Sequence, residues 1–161
     1  MYFFSQDQKL YLYTNSTIES PSAIIKVFNI NGKDLNYSYS FNSSLKEIDS
    51  LWFKNGYLYI IGENKIAIFK KNNQNRIELE NSFNQEKFKG HILGIEKEIL
   101  YILKDKTLTL LDIHFKDRIE VIEKIDVPFT YKLGVKTNGD YITTGCKIFD
   151  IKTLRASRIR D

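Results

Sequence analysis

The side chains able to do chemistry are few and scattered. His91 and His114 are the two histidines, and Cys146 is the single cysteine. A catalytic or metal-binding histidine needs a partner within a few ångströms. His91 falls at the start of one expected strand and His114 in a turn between two others, in a different loop layer. A metal shared by both is not expected. Cys146 opens an alternating apolar segment and reads as a small buried hydrophobe. One cysteine also excludes an internal disulfide framework and a multi-cysteine metal site. Glu78 and Glu80 alternate on one strand face, as solvated carboxylates do. No Ser-His-Asp order, phosphate-cradling glycine loop or metal spacing stands out. Neither a catalytic residue nor a cofactor is assigned, and an enzyme is not expected.

Two stretches could bind rather than react. The first is basic and lies at the C-terminal end: Lys147, Lys152, Arg155, Arg158 and Arg160. Arginine forks suit phosphate or carboxylate. A nucleic-acid surface would add stacking aromatics to such a patch, and only Phe149 is close, so nucleic acid is not expected as a partner. Charge placed on an outer edge strand against aggregation accounts for the cluster. The second stretch runs from Thr14 to Ser22 and holds Asn15, Thr17, Ile18, Glu19 and Pro21 as candidate partner contacts.

The elements that must carry these groups are all strands. Apolar residues recur with a spacing close to two nearly everywhere, which is the strand period. One apolar segment recurs four times: Leu10-Tyr11-Leu12-Tyr13, Leu58-Tyr59-Ile60-Ile61, Leu100-Tyr101-Ile102-Leu103 and Asp140-Tyr141-Ile142-Thr143. Its tyrosines are 48, 42 and 40 residues apart. A second anchor at Phe28, Phe69, Leu111 and Phe149 recurs at 41, 42 and 38. A period near forty in an all-β chain predicts propeller blades of four short strands, A to D. The approximate blades are 1–44, 45–86, 87–127 and 128–161, in a single β-propeller domain or propeller segment. The fourth is expected to run its strand A from Tyr131 to Val135, strand C from Cys146 to Ile151 and a short strand D near Ser157 to Ile159. Asn55-Gly56 and Asn138-Gly139 read as tight hairpin turns.

The Thr14–Ser22 stretch is an insertion in this frame. Tyr11 to Phe28 spans 17 residues, where Tyr59 to Phe69 and Tyr101 to Leu111 span 10 and Tyr141 to Phe149 spans 8. Insertions in repeat proteins fall in loops on one face, often the binding face. Counting seven residues back from each repeat tyrosine reaches Phe4, Trp52, Gly94 and Gly134. These are the candidate lining of a central channel, or in the glycines' case positions that permit close blade packing.

Strand C ends in an aromatic or large apolar residue, then Asp or Asn, then Ile, as in Phe28-Asn29-Ile30, Leu111-Asp112-Ile113 and Phe149-Asp150-Ile151. This resembles the Trp-Asp corner of WD40-type blades, and Gly90-His91 stands where such repeats often carry Gly-His. None of the four repeats has Trp-Asp itself, and Lys70 stands at the acidic position of the second. The resemblance implies a divergent WD40-like β-propeller, either a four-bladed ring or half of a roughly eight-bladed one.

Composition bounds the rest. The chain of 161 residues is 42% hydrophobic and 14% aromatic with a net charge of +4, so it is globular and only mildly basic. The start, Met1-Tyr2-Phe3-Phe4, lacks a signal-peptide pattern. No window approaches the roughly 18 apolar residues of a membrane helix. The expected function is a non-enzymatic protein–protein interaction or scaffold module using propeller-face loops. Its partner would be another protein or a second copy of itself, with no membrane insertion. The alternative is a ligand-binding or hydrolytic propeller with a site at the channel mouth. The expected location is cytoplasmic, or periplasmic or secreted had a leader been removed.

Overall fold

The structure, a computed structural model, describes residues 2–6, 8–15, 21–74, 76–84, 89–132, 135–144 and 147–157. The described residues are all-β with one short helix, and their strands form four antiparallel sheets. It separates into two compact units, residues 1–88 and 89–161.

The first unit holds two four-stranded sheets in simple meander order. Strands β1 (Tyr2–Gln6), β2 (Lys9–Thr14), β3 (Ile24–Asn31) and β4 (Asp34–Asn42) make the first sheet. Strands β5 (Ser50–Lys54), β6 (Tyr57–Gly62), β7 (Lys65–Lys71) and β8 (Ile77–Asn84) make the second. The β5–β6 hairpin closes through Asn55 and Gly56 at φ 51° and 80°, the left-handed pair that a type I′ turn requires.

The period-2 pattern decides how these sheets pack. Tyr11, Tyr13, Ile25 and Val27 from the first sheet share one core cluster with Leu58, Ile60, Ala67 and Phe69 from the second. Tyr11 pairs Val27 across β2 and β3, so both point to the same face. Leu58 pairs Phe69 and Ile60 pairs Ala67, which is the face opposite to that of Tyr59. The junction therefore sets the tyrosine-bearing face of one sheet against the other face of the next. The Phe41 and Phe69 rings meet across it at 5.3 Å. Alternation was expected along β7, but Ile66, Ala67, Ile68 and Phe69 are all buried. A strand covered on both faces reads as a continuous apolar run.

Gly62 closes β6 at a point of close backbone approach. A Cβ built there would lie 2.0 Å from the Glu47 carbonyl oxygen. The segment it touches is pinned by Asp49 N donating to Ile61 O at 2.8 Å and Lys46 N donating to Glu63 Oε2 at 2.8 Å. The turn itself falls on Glu63 and Asn64, both at positive φ.

The second unit begins with β9 (His91–Glu96), β10 (Ile99–Lys104), β11 (Thr107–Asp112) and β12 (Glu120–Asp126). A smaller sheet follows, made of β13 (Lys136–Thr137), β14 (Tyr141–Thr143) and β15 (Ile148–Asp150). The same facing rule holds here. Tyr101, Leu103, Leu108 and Leu110 share a cluster with Val135, Ile142 and Ile151. Gly94 lies at this junction, where an added Cβ would sit 3.1 Å from the Thr137 carbonyl oxygen. Of its two expected roles, the packing role has this direct contact behind it.

The fourth repeat departs from the expected plan. Its first described strand is Lys136–Thr137, and its third ends at Asp150; of the expected strand Tyr131 to Val135, residues 131, 132 and 135 are not in a strand and 133–134 lie outside the described residues. At Ser157, where a short last strand is expected to begin, the chain is still in α1 (Ile151–Ser157), and Arg158 and Ile159 lie outside the described residues. The cause is Asp150, whose Oδ1 accepts from Lys152 N at 2.7 Å and Thr153 N at 3.3 Å. A side-chain acceptor for early helical N–H groups starts a helix. The hairpin is also out of step. Phe149 pairs Ile142, two residues beyond the Asp140 that the other three repeats predict. Loss of two residues from the turn preserves which face each side chain meets and moves Tyr141 to the strand's end, where it is 45% exposed.

Three β-bulges recur at one repeat position. They fall between Val27 and Phe28, between Ile68 and Phe69, and between Leu110 and Leu111. In each case the outermost strand carries the extra residue: Ser38, Glu80 or Ile122.

Candidate functional site

The first unit contains a cleft of about 380 Å³ lined by Tyr37, Ser38, Tyr39, Ser40, Phe41, Arg76, Ile77 and Glu78. The outermost strands of the two sheets build it. Strand β4 contributes an aromatic at every second position, Tyr37, Tyr39 and Phe41, around its bulge at Ser38. The bulge lets Tyr37 turn to Phe28, with rings edge to face at 5.7 Å. Tyr39 instead joins Phe41 beside the core, with ring centroids 6.3 Å apart. The bulge therefore puts the two rings on opposite faces of the strand, Tyr37 with Phe28 and Tyr39 with Phe41, and both residues border the cleft.

The opposite wall is the start of β8. Ile77 is buried there, while Arg76 and Glu78 stand exposed. Glu78 Oε1 accepts from Asn72 Nδ2 at 2.6 Å. Asn72 Oδ1 in turn accepts from the backbone N–H groups of Gln74 and Arg76, each at 2.9 Å. The turn is thus built around one asparagine, which fixes where Arg76 and Glu78 emerge.

Electrostatics near the cleft are set by burial. Burial pushes the Tyr39 phenol up to about 12. The Lys9 ammonium lies 5.8 Å from that ring's centroid, and its pKa is lowered, first by burial and then by the charge of Lys71. Two opposite pH effects follow. An unfolded tyrosine ionises near pH 10 while native Tyr39 keeps its proton to about 12. Its contribution is complete below pH 10 and is lost as pH rises through 12. Lys9 acts the other way, since its charged form is disfavoured in the native state, and that penalty fades as pH climbs toward 10.5. Tyr39→Phe is expected to remove an alkaline loss on the order of 2 kcal/mol, discounted for partial solvent access. Urea unfolding followed by the fluorescence of Trp52, between pH 9 and 12, measures it. An unchanged alkaline limb in the variant would contradict the assignment.

The residues expected from sequence are placed as follows. Thr17, Ile18, Glu19, Gly134, Cys146, Arg158 and Arg160 lie outside the described residues, as does the side chain of Phe4. Asn15 turns to the scaffold rather than outward, because its Oδ1 accepts from Ile48 N at 3.3 Å. Pro21 is exposed. Phe4, Trp52 and Gly94 do pair directly with Tyr11, Tyr59 and Tyr101 across their hairpins. Trp52 is half-buried.

The basic group does not form one edge strand. Lys152 and Arg155 lie on α1, while Lys147 precedes β15. Arg155 Nε donates to Glu123 Oε2 at 2.7 Å. That pair leaves the Arg155 fork engaged within the unit rather than presented to phosphate. His91 stacks on Tyr131, centroids 3.8 Å apart, and His114 is exposed with its ring edge-on to Phe115. The Tyr101 phenol donates to Gly139 O at 3.4 Å; burial raises its pKa, with Arg155 opposing and Asp140 and Glu96 adding. Among the described residues no group of three His, Cys, Asp or Glu is placed to hold a metal ion. No described helix is long and apolar enough to cross a membrane.

Sequence reasoning missed the cleft. Its signal was present in Tyr37-Ser38-Tyr39-Ser40-Phe41, but alternating aromatics read equally as an ordinary strand face. The bulge that redirects Tyr37 has no residue signature there.

No protein-family model matches the sequence, and a search of curated proteins finds no match. Solved structures do resemble it. A functionally unknown protein from Desulfotomaculum acetoxidans DSM 771 aligns with a TM-score of 0.60 at 12% identity, over 89% of this chain and 62% of that one. A protein from Lactobacillus plantarum aligns with a TM-score of 0.56 at 10% identity, over 86% of this chain and 45% of that one. The chain thus spans less than two thirds of either neighbour, and what they share at such identities is the fold.

Proposed function

We propose that this chain is a non-enzymatic interaction module of WD40-like, propeller type, and that the cleft between β4 and β8 receives another protein. Four consecutive meander sheets, each within one repeat of about forty residues, support the propeller reading. The observation that carries the binding role is the cleft itself, about 380 Å³ bordered by Tyr37, Tyr39, Phe41, Arg76 and Glu78. Rigid aromatic walls order few rotamers on binding, so little conformational entropy opposes association. Arg76 and Glu78 on the rim set orientation through opposite charges.

The reading is tested by selecting peptides from a display library against the immobilised chain. Selected peptides are expected to lose tenfold or more in affinity, about 1.4 kcal/mol, against Arg76→Ala or Glu78→Ala. Both residues are exposed, so neither change should unfold the chain; Glu78→Ala also removes the bond to Asn72, which makes Arg76→Ala the cleaner of the two. A selection yielding no peptides sensitive to either change would refute the cleft as the binding face.

A further inference from the structure

Two ammonium groups share one end of the junction between the first two sheets. Lys9 starts β2 on the face of Tyr11, two residues on. It pairs Asn29, which in turn pairs Asn36. Lys9, Asn29 and Asn36 therefore form one row across β2, β3 and β4, on the face that packs against the second sheet. From the other side, Lys71 ends β7 on the face of Phe69 and pairs Ile77. Phe69 and Ile77 belong to the core cluster that holds Tyr11, and Tyr39 packs against the same cluster. The Lys9 ammonium stands 5.8 Å from the Tyr39 ring centroid, and the charge of Lys71 is felt at Lys9.

The fold gains nothing from this juxtaposition. Like charges oppose one another, and Lys9 is half-buried, so water screens it only in part. Among the described residues neither lysine forms an ion pair with a carboxylate. Asp34 lies on the same face, one row nearer the β3–β4 turn, and it too pairs with neither. The side-chain amides of Asn29 and Asn36 and the Tyr39 hydroxyl make no hydrogen bond among the described residues. The Tyr39 phenol keeps its proton to about 12, so it remains a donor at neutral pH. Two cations and three neutral donors are thus left uncommitted at one place.

We infer that Lys9 and Lys71, with Tyr39, Asn29 and Asn36 beside them, bind a phosphate group at this end of the junction. Charge selects the ligand. A phosphate carries close to two negative charges at neutral pH and balances both lysines, whereas a carboxylate balances one. Lysine binds phosphate as a point charge, without the planar fork that a carboxylate rewards. The group arrives either as a free small phosphate or on a phosphorylated side chain. The inference stands whether or not the neighbouring cleft receives a protein.

Phosphorus NMR titration at pH 7.5, with ionic strength held constant by sodium chloride, tests it. One arm uses inorganic phosphate. The other uses a short alanine peptide carrying one phosphoserine, with its unphosphorylated form followed by proton NMR. Saturable binding of at least one phosphate probe, with a Kd of about 1 mM or tighter, is expected. Lys9→Met and Lys71→Met are each expected to weaken it tenfold or more, and Lys104→Met, on an exposed lysine of the second unit, to leave it unchanged. Tighter binding of the phosphopeptide than of inorganic phosphate assigns the group to a partner's side chain; the reverse order assigns it to a small molecule. Methionine keeps the apolar stem, and Trp52 fluorescence checks folding; should Lys9→Met misfold, Lys9→Gln replaces it under the same criterion. No binding of either phosphate probe overturns the inference. So does binding that survives both lysine substitutions, or that Lys104→Met weakens equally. In phosphate-free buffer Lys71→Met is expected not to lower the urea midpoint, since it removes a repulsion; a lower midpoint would mean that Lys71 is already engaged within the fold and would overturn the site as well.

Discussion

Gly62→Ala is expected to destabilise the first unit by about 3 kcal/mol or more. The added methyl would sit 2.0 Å from the Glu47 carbonyl oxygen and 3.0 Å from its carbon. Backbone cannot rotate aside as a side chain can, and this stretch is tied down on both sides of the contact. Asp49 N is held by Ile61 O, and Lys46 N by the Glu63 carboxylate. Either those bonds break or β6 leaves its register. Gly56→Ala is the useful control. Its φ of +80° disfavours alanine, but an added Cβ there has nothing within 4 Å. It should cost only about 1 kcal/mol. Urea unfolding of both variants, monitored through Trp52, separates crowding from backbone preference. Equal losses would mean that the 47–62 contact is not close in solution.

The second large effect contrasts two tyrosines that the sequence presents as equivalent. Tyr59→Ala is expected to cost about 3 to 5 kcal/mol, as for other buried aromatics. Tyr59 is 2% exposed at the centre of β6. Tyr141→Ala should cost less than about 1 kcal/mol in dilute protein, as exposed positions do. Hydrogen exchange of the β14 amides gives the second unit its own readout. A large loss from Tyr141→Ala at low concentration would contradict the displaced hairpin.

That contrast also marks how far the sequence could be read. Strands were legible wherever an inner face packs against a neighbouring sheet, because Tyr11, Tyr59 and Tyr101 then recur with burial at the same pairing position. Tyr141 keeps the letter and the face parity but loses the position, since two residues are missing from its turn. Position along a strand leaves no trace in a pattern of period two. The helix at Ile151–Ser157 was hidden for a related reason. Asp150 looks like the acidic corner residue that ends a strand, and Asp112 acts so in the preceding repeat, accepting from His114 N at 2.8 Å. In the fourth repeat the same kind of bond, to Lys152 and Thr153, opens a helix instead. One side-chain acceptor serves either outcome, and the residues that follow decide. The cleft was the least legible, because it needs two outermost strands from different sheets and a kink that Ser38 gives no reason to expect.

The recurrent extra residue on β4, β8 and β12 has a protective consequence. At Ser38, Glu80 and Ile122 the rim of each sheet changes phase, so that amide donors and carbonyl acceptors swap sides partway along. A stray extended chain could align with one half of such a rim but not with both. Runaway lateral growth into fibrils is thereby frustrated at the places where three sheets would otherwise offer it a continuous template.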